Sequence, residues 1–405
     1  MIQSDPGIAH ESLCGQMKRL IVHPLKESSI STVIVIDALD ECEDEEPASA
    51  ILSVIGRMAA EIPQVKFFLT GRPEPQISKG FRLPLLAKIT DIFILHKVKP
   101  DQVNHDIQLF FKSSFLELVD VWPGLGNWPT KGQLDELCKR AAGLFVYAAA
   151  AVKFISNNQW SPTKQLEILL GSQDGDADEW ETLDSLYTSI LQQAFKSRKP
   201  GYYSTVCSVL GAVILATNPL SPSTIARLLR FNPEDVFHLL SLANSFLVLQ
   251  DIDHPTQPFH KSFPDFITDP IRCANKRFHI HPPDHHSELL VACINLMDQM
   301  LEKNMCQLPD AVANSDVGDL KERVDNYINP ALQYACMSWH THLIGIHIVQ
   351  GHTSAITSIL HKFLETKFLF WLEVLSVLGA VRNAVDALQA TQHWLEVCKV
   401  SILEF

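Results

Sequence analysis

Residues 31–46 read STVIVIDALDECEDEE, and the change of character at Asp37 decides the fold class. Thr32–Ile36 is β-branched throughout and apolar on both faces, the pattern of a strand buried in a parallel sheet. The run stops at Asp37 and passes into acidic sequence through Asp40 and Glu41. Working outward, Ala48–Ala60 predicts a helix, and Val65–Thr70 (VKFFLT) predicts a second buried strand that breaks at Gly71-Arg72-Pro73. Ile92–His96 (IFILH) reads as a third strand. On the N-terminal side, Leu13, Met17, Leu20 and Ile21 share one helical face. Strand, helix, strand, loop, strand predicts an α/β unit with parallel pairing.

After Pro100 the pattern turns helical. Asp101–Phe115, Lys131–Ile155 and Leu183–Phe195 carry helical periodicity, separated by a Trp/Pro/Gly-rich loop at Trp122–Thr130 and an acidic loop at Asp174–Glu181. From Tyr203 the sequence predicts a helix and a turn at Asn218-Pro219. A second helix capped by Ser221 or Ser223 comes next, then a third starting near Asn232. Leu247–Asp253, His254-Pro255 and Phe259-His260 then suggest a hairpin, and helices leading into a hairpin suggest a winged-helix module. Nearly everything from Pro282 to Phe405 reads as helix. The expected organisation is α/β followed by mainly α: a partial parallel sheet over 1–98, a helical domain over 99–198, a winged-helix-like domain over 199–280 and a C-terminal helical region over 281–405.

Composition fits that division. The chain is 46% hydrophobic and 20% charged, which excludes a wholly disordered or collagen-like protein. Its 33 basic and 46 acidic residues give a net charge of −13, so no nucleic-acid backbone or anionic membrane is expected as a partner. Nine scattered cysteines without a CxxC pair point to reduced thiols rather than disulfides. The first residues lack the basic and apolar regions of a secretory signal. Ala141–Val152 is too short to span a bilayer, and Ser204–Arg227 is interrupted by Pro219 and Pro222. A soluble, cytoplasmic protein is the expectation.

A carboxylate at the carboxyl end of a parallel strand sits where α/β sheets bind ligands. Asp37 in that position is suited to hold the Mg²⁺ that bridges nucleotide phosphates, and Asp40 or Glu41 to orient or deprotonate an attacking water. Thr70 and Arg72, ending the next strand, offer a hydroxyl and a forked guanidinium to a terminal phosphate. The simpler alternatives are a strand ending in a solvated acidic turn and an Arg72 that pairs with the acidic run after Asp37.

VIVIDALDECED (33–44) followed by FFLTGRPEP (67–75) resembles the Walker-B and sensor segments of NACHT-type NTPases, signal-transducing P-loop ATPases of the STAND class with a nephrocystin-3-like N-terminal region. Gly143-Leu144-Phe145-Val146-Tyr147-Ala148-Ala149 resembles a helix of the fungal members, and Leu183-Asp184-Ser185-Leu186-Tyr187 resembles their next segment. Val209-Leu210-Gly211 through Pro219-Leu220-Ser221 resembles the start of their winged-helix region. His260–Phe266 (HKSFPDF) with Phe278-His279-Ile280 resembles a further segment of the mushroom-type members. Trp371–Leu375 resembles the helical stretch that often precedes a WD-repeat propeller.

The resemblance implies ATP or ADP with magnesium as cofactors, Asp37 as the metal ligand, Thr70 and Arg72 as phosphate sensors, and His260 as an ADP lock. It also implies a signalling switch that works through protein partners or self-oligomerisation. One departure stands out: the sequence contains no G-x-x-x-x-G-K-[ST] phosphate loop, so autonomous ATP hydrolysis is not expected. The expectation is a chain truncated before that loop and ending before any repeat domain. The competing expectation is a non-enzymatic helical interaction protein derived from the same family.

Two histidine readings remain. Lys261 stands where the family has an acidic partner to His260, so a hairpin histidine bonded to backbone is the alternative there. His279, His281, His285 and His286, with Asp284 and Cys273, invite a metal site, but Pro282-Pro283 argues against a shared helix for His281 and His285. His285-His286 is expected to open the following helix, with Asp284 as its N-cap.

Overall fold

The β-branched run forms strand where the sequence places it. In the computed structural model, which describes residues 8, 11–28, 30–41, 45–72, 74–157, 161–171, 179–196, 201–309, 313–346 and 353–403, the chain divides into two compact units, Met1–Val98 and Lys99–Phe405.

The first unit opens with helices α1 (Leu13–Met17) and α2 (His23–Glu27), joined by a π-helical turn at Lys18–Val22. Strand β1 (Thr32–Ile36), helix α3 (Glu45–Met58) and strand β2 (Val65–Leu69) come next, then the short helices α4 (Pro75–Phe81) and α5 (Pro84–Ala87). β1 and β2 pair in parallel, with Ile34 opposite Phe67 and Ile36 opposite Leu69. Those four side chains face α3, whose Ala48, Leu52 and Ile55 recur at helical spacing in the core beneath them. Gly80 of α4 lies so close to Leu52 that a Cβ there would stand 2.5 Å from a Leu52 methyl.

The opposite face differs from expectation. Val33, Val35 and Phe68 are 61%, 62% and 59% exposed, so the strands are covered on one side only. Ile92–His96 does not form a third strand either. A 3-10 turn occupies Leu95–Lys97, and Ile92, Phe93 and Leu95 are exposed. Strand propensity measures fit to a half-buried pleated surface, and this segment pairs with no strand among the described residues.

The second unit is helical. Its first part comprises α6 (Pro100–Val121), α7 (Lys131–Ala141), α8 (Phe145–Ile155), α9 (Pro162–Gly171) and α10 (Glu179–Ala194). The single helix expected over 131–155 is two, because Ala142 and Gly143 both take left-handed backbone at φ 46° and 81°. Of the acidic loop expected at Asp174–Glu181, residues 172–178 lie outside the described residues, and Glu179 already belongs to α10.

Helices α11 (Tyr202–Leu215), α12 (Pro222–Leu229) and α13 (Pro233–Leu242) lead into an antiparallel pair of short strands, β3 (Leu247–Val248) and β4 (Gln257–Pro258). Ser221 caps α12 by accepting the Thr224 N–H at 3.2 Å, and Asn232 caps α13 by accepting the Glu234 N–H at 2.9 Å. The C-terminal part holds α14 (Ser262–Thr268), α15 (Pro282–Met300), α16 (Leu320–Tyr327), α17 (Pro330–Ile344), α18 (Thr353–Thr366), α19 (Phe368–Val377) and α20 (Arg382–Leu403). One continuous apolar core runs from Ile107 to Cys398. At its C-terminal end Trp339 and Trp371 are fully buried and meet edge to face at 5.7 Å. No helix among the described residues is long and apolar enough to cross a membrane, and every described cysteine is a free thiol.

Candidate functional site

Four of the sequence-selected residues gather at the carboxyl end of the parallel pair, where two loops are stitched together by backbone bonds. The Thr70 N–H donates to the Ile36 carbonyl at 3.0 Å, and the Leu39 N–H donates to the Thr70 carbonyl at 2.9 Å. Between these bonds Ala38 is held at φ 53°, a conformation uncommon for a residue with a side chain. The Thr70 hydroxyl donates to the Asp37 carboxylate and accepts the Ala38 N–H at 2.9 Å. Asp37 is solvent-exposed at the lip of the sheet. Further along the two loops, Asp40 Oδ1 accepts the Arg72 backbone N–H at 3.0 Å, and Arg72 Nε lies 3.5 Å from Asp40 Oδ2. The pairing of Arg72 with the acidic run, the simpler alternative read from sequence, is therefore present. Glu41 closes a 3-10 turn at Leu39–Glu41; its side chain, like Pro73, lies outside the described part of the structure.

The donor set at this lip is hard oxygen, a carboxylate beside a hydroxyl. That suits Mg²⁺, which is commonly held by one or two carboxylates with waters and substrate phosphates completing its shell. No group of three or more His, Cys, Asp or Glu side chains capable of holding a metal occurs among the described residues. Asp37, the exposed carboxylate of the pair, is of the chemical type that could contribute one ligand to such an ion.

His260 belongs to the second unit. It is exposed, and its Nδ1 accepts the Ser262 backbone N–H at 3.1 Å at the start of α14. With Nδ1 an acceptor, the Ser262 hydroxyl donates to it at 2.7 Å, and the Tyr187 hydroxyl donates to Ser262 at 2.8 Å. Burial pushes the Tyr187 phenol up to about 12, so it stays a donor across the physiological range. Beside His260, the Lys153 ammonium of α8 sits 3.6 Å from the centre of the Phe259 ring, and burial lowers its pKa.

The sequence kept the LDSLY and HKSFPDF segments apart, but the structure joins them. Tyr187 packs against Phe263 and Phe266 at 5.4 Å each, and Phe246 stacks on Phe263 at 4.0 Å. Asp184 forms a two-pronged ion pair with Arg272 at 2.7 and 3.0 Å. A polar Asp and Tyr inside an otherwise apolar helical pattern were the available signal, since such groups need partners when buried.

His279, His281, His285 and His286 each meet a different partner. His281 pairs with Asp284 at 3.1 Å, and His285 with Glu288 at 3.2 Å. The expectation that His285-His286 opens the helix with Asp284 as N-cap is corrected. α15 begins at Pro282, since prolines are tolerated in a first turn whose N–H groups are orphaned anyway. His281 occupies the N-cap, and His286 reaches across to α17, where its Nδ1 lies 2.9 Å from His342 Nδ1. His342 Nε2 in turn meets the Tyr334 hydroxyl at 2.7 Å. Burial, reinforced by the neighbouring His286 and His340, drives the His342 pKa down to about 3.

Residues 1–72, which contain both the β1 end and the Thr70–Arg72 turn, match the family model described as Nephrocystin 3, N-terminal. Vegetative incompatibility protein HET-E-1 of Podospora anserina is 24% identical over 395 residues, covering 90% of this chain. The chain spans 27% of that relative's length. No solved structure matches the chain. Together the two matches support the resemblance to NACHT-type proteins that the sequence carries.

Proposed function

We propose that the chain is part of a nucleotide-dependent signalling switch of the STAND P-loop class, in which the sheet edge senses a magnesium nucleotide and the helical unit carries the response to protein partners or to further copies of itself. The observation that carries this reading is the Asp37–Thr70 contact at the carboxyl end of two parallel strands. In the proposal Asp37 is the magnesium ligand, Asp40 or Glu41 the carboxylate that orients water, and Thr70 and Arg72 the residues that answer to the terminal phosphate. Magnesium would supply charge neutralisation of the phosphates when bound. The 405 residues hold no G-x-x-x-x-G-K-[ST], so the proposed behaviour is weak magnesium-dependent binding of ATP and ADP without turnover.

The finer architecture belongs to the same proposal. α11–α13 with the β3–β4 hairpin act as a winged-helix-like module, and β1–β2 as part of a P-loop NTPase sheet. His260, whose Nδ1 is tied to Ser262, stands in the same proposal as the residue that locks ADP, the role the family resemblance implies. A cytoplasmic location fits a signalling role of this kind. HET-E-1 is named as a vegetative incompatibility protein, which supports a signalling role among fungal partners.

Isothermal titration of the full chain with Mg·ATP and Mg·ADP, alongside a phosphate-release assay, tests the reading. The expected result is heat with both nucleotides that Asp37→Ala abolishes, with phosphate release at the level of the blank. Absence of heat with either nucleotide supports the competing reading, a non-enzymatic helical interaction protein.

A further inference from the structure

Asp40 and Asp37 are three residues apart in sequence and in different surroundings. A carboxylate that activates water must present a free lone-pair direction to it. The Asp40 side chain is 5% exposed, and both of its oxygens face Arg72: Oδ1 takes the backbone N–H at 3.0 Å and Oδ2 lies 3.5 Å from Nε. The Gly71 backbone and Leu39 close over it, since a Cβ on Gly71 would lie 3.4 Å from both Asp40 Oδ1 and Leu39 Cβ. The Arg72 side chain, at 37% exposed, is the more accessible of the two. A carboxylate holding a guanidinium by Nε, and the same residue's backbone by its N–H, fixes both where the arginine starts and which way its fork turns.

We propose that Asp40 is a positioning residue rather than the group that activates water: it sets Arg72 so that the guanidinium meets the terminal phosphate of a nucleotide bound at Asp37. The assignment rests on the nucleotide reading above. It separates the two acidic residues of DALD by role, with Asp37 exposed for the metal and Asp40 enclosed for the arginine.

Two measurements on the full chain test it. The first needs no nucleotide. In arginine-labelled protein, the Arg72 Nε proton, identified by its loss in Arg72→Lys, is expected to exchange slowly with solvent in the wild type. It should exchange at least tenfold faster in Asp40→Asn, which keeps the size of the side chain and removes its charge. The second compares affinity for a non-hydrolysable Mg·ATP analogue with that for Mg·ADP. Asp40→Asn is expected to weaken the triphosphate roughly tenfold and the diphosphate less than about twofold. Arg72→Ala should do the same, and the double variant should lose no more than either single one.

An unchanged triphosphate preference in Asp40→Asn overturns the proposal, as does an Arg72 Nε proton indifferent to the substitution. If the wild type binds neither nucleotide, the functional reading fails and the phosphate role fails with it. The exchange measurement then still decides whether Asp40 holds Arg72.

Discussion

In the first unit, three large apolar side chains of β1 and β2 stand in solvent on one face of the sheet while their neighbours on the other face are packed on α3. In the second unit, side chains as large as Trp339 and Trp371 are wholly enclosed, and several polar groups inside meet across helices: Tyr187 with Ser262, His342 with His286 and Tyr334. The difference teaches where each unit keeps its chemistry. The helical unit spends its polar residues on joining helices, whereas the sheet unit collects Asp37, Asp40, Thr70 and Arg72 at an accessible edge. A stability probe and a ligand probe should therefore respond to different regions.

The largest effect expected from breaking this contrast comes from the helical core. Trp371→Ala removes a buried indole that packs on Trp339 and Phe363 and donates its N–H to the Cys336 carbonyl at 2.8 Å. A loss of about 3–5 kcal/mol is expected, read from the urea midpoint by far-ultraviolet circular dichroism.

Next comes acid. His342 is held neutral in the folded protein to about pH 3, while an unfolded chain takes up that proton near 6.5. The His342 pKa is depressed, so its contribution is fully present above pH 6.5 and is lost as pH falls toward 3. The slope is about 1.4 kcal/mol per pH unit for one such proton. His286, also lowered by burial, adds loss of the same sign. Urea midpoints between pH 7.5 and 4.5 should fall steeply in the wild type and less steeply in His342→Gln. Equal slopes would show that the pair does not carry the acid sensitivity.

The Asp184–Arg272 pair sharpens the comparison on a smaller scale. Asp184→Asn removes the carboxylate charge that two prongs of a partly buried guanidinium meet, and a loss of about 1–3 kcal/mol is expected. A double-mutant cycle with Arg272→Met should show strong non-additivity. The smallest effect belongs to the open sheet face. Val35→Thr should change stability by about 0.5 kcal/mol or less, because the side chain has little burial to lose. A loss as large as that of a core residue would mean that the face is covered in solution.

How much of this could be read in the sequence depends on the same division. β1, β2 and the gathering of Asp37, Asp40, Thr70 and Arg72 were legible because two parallel strands bring their carboxyl ends to one edge, whatever the rest of the chain does. The open face was not legible. Val33 and Val35 look the same in sequence whether or not something packs on them. The break between α7 and α8 had its signal in Gly143, but the strong apolar periodicity on either side masked it. The Tyr187–Ser262 and His286–His342 joints were out of reach, since they connect residues 75 and 56 positions apart. Only the compatibility of each partner with burial was visible in advance.

The central claim is that the sheet edge is a magnesium-dependent nucleotide sensor. It is tested most directly by titrating the full chain with ADP in the presence and absence of Mg²⁺, for the wild type and for Asp37→Ala. The account predicts binding in the wild type that requires magnesium and is lost in the variant. Equal binding by both proteins, or none by the wild type at millimolar nucleotide, would contradict it.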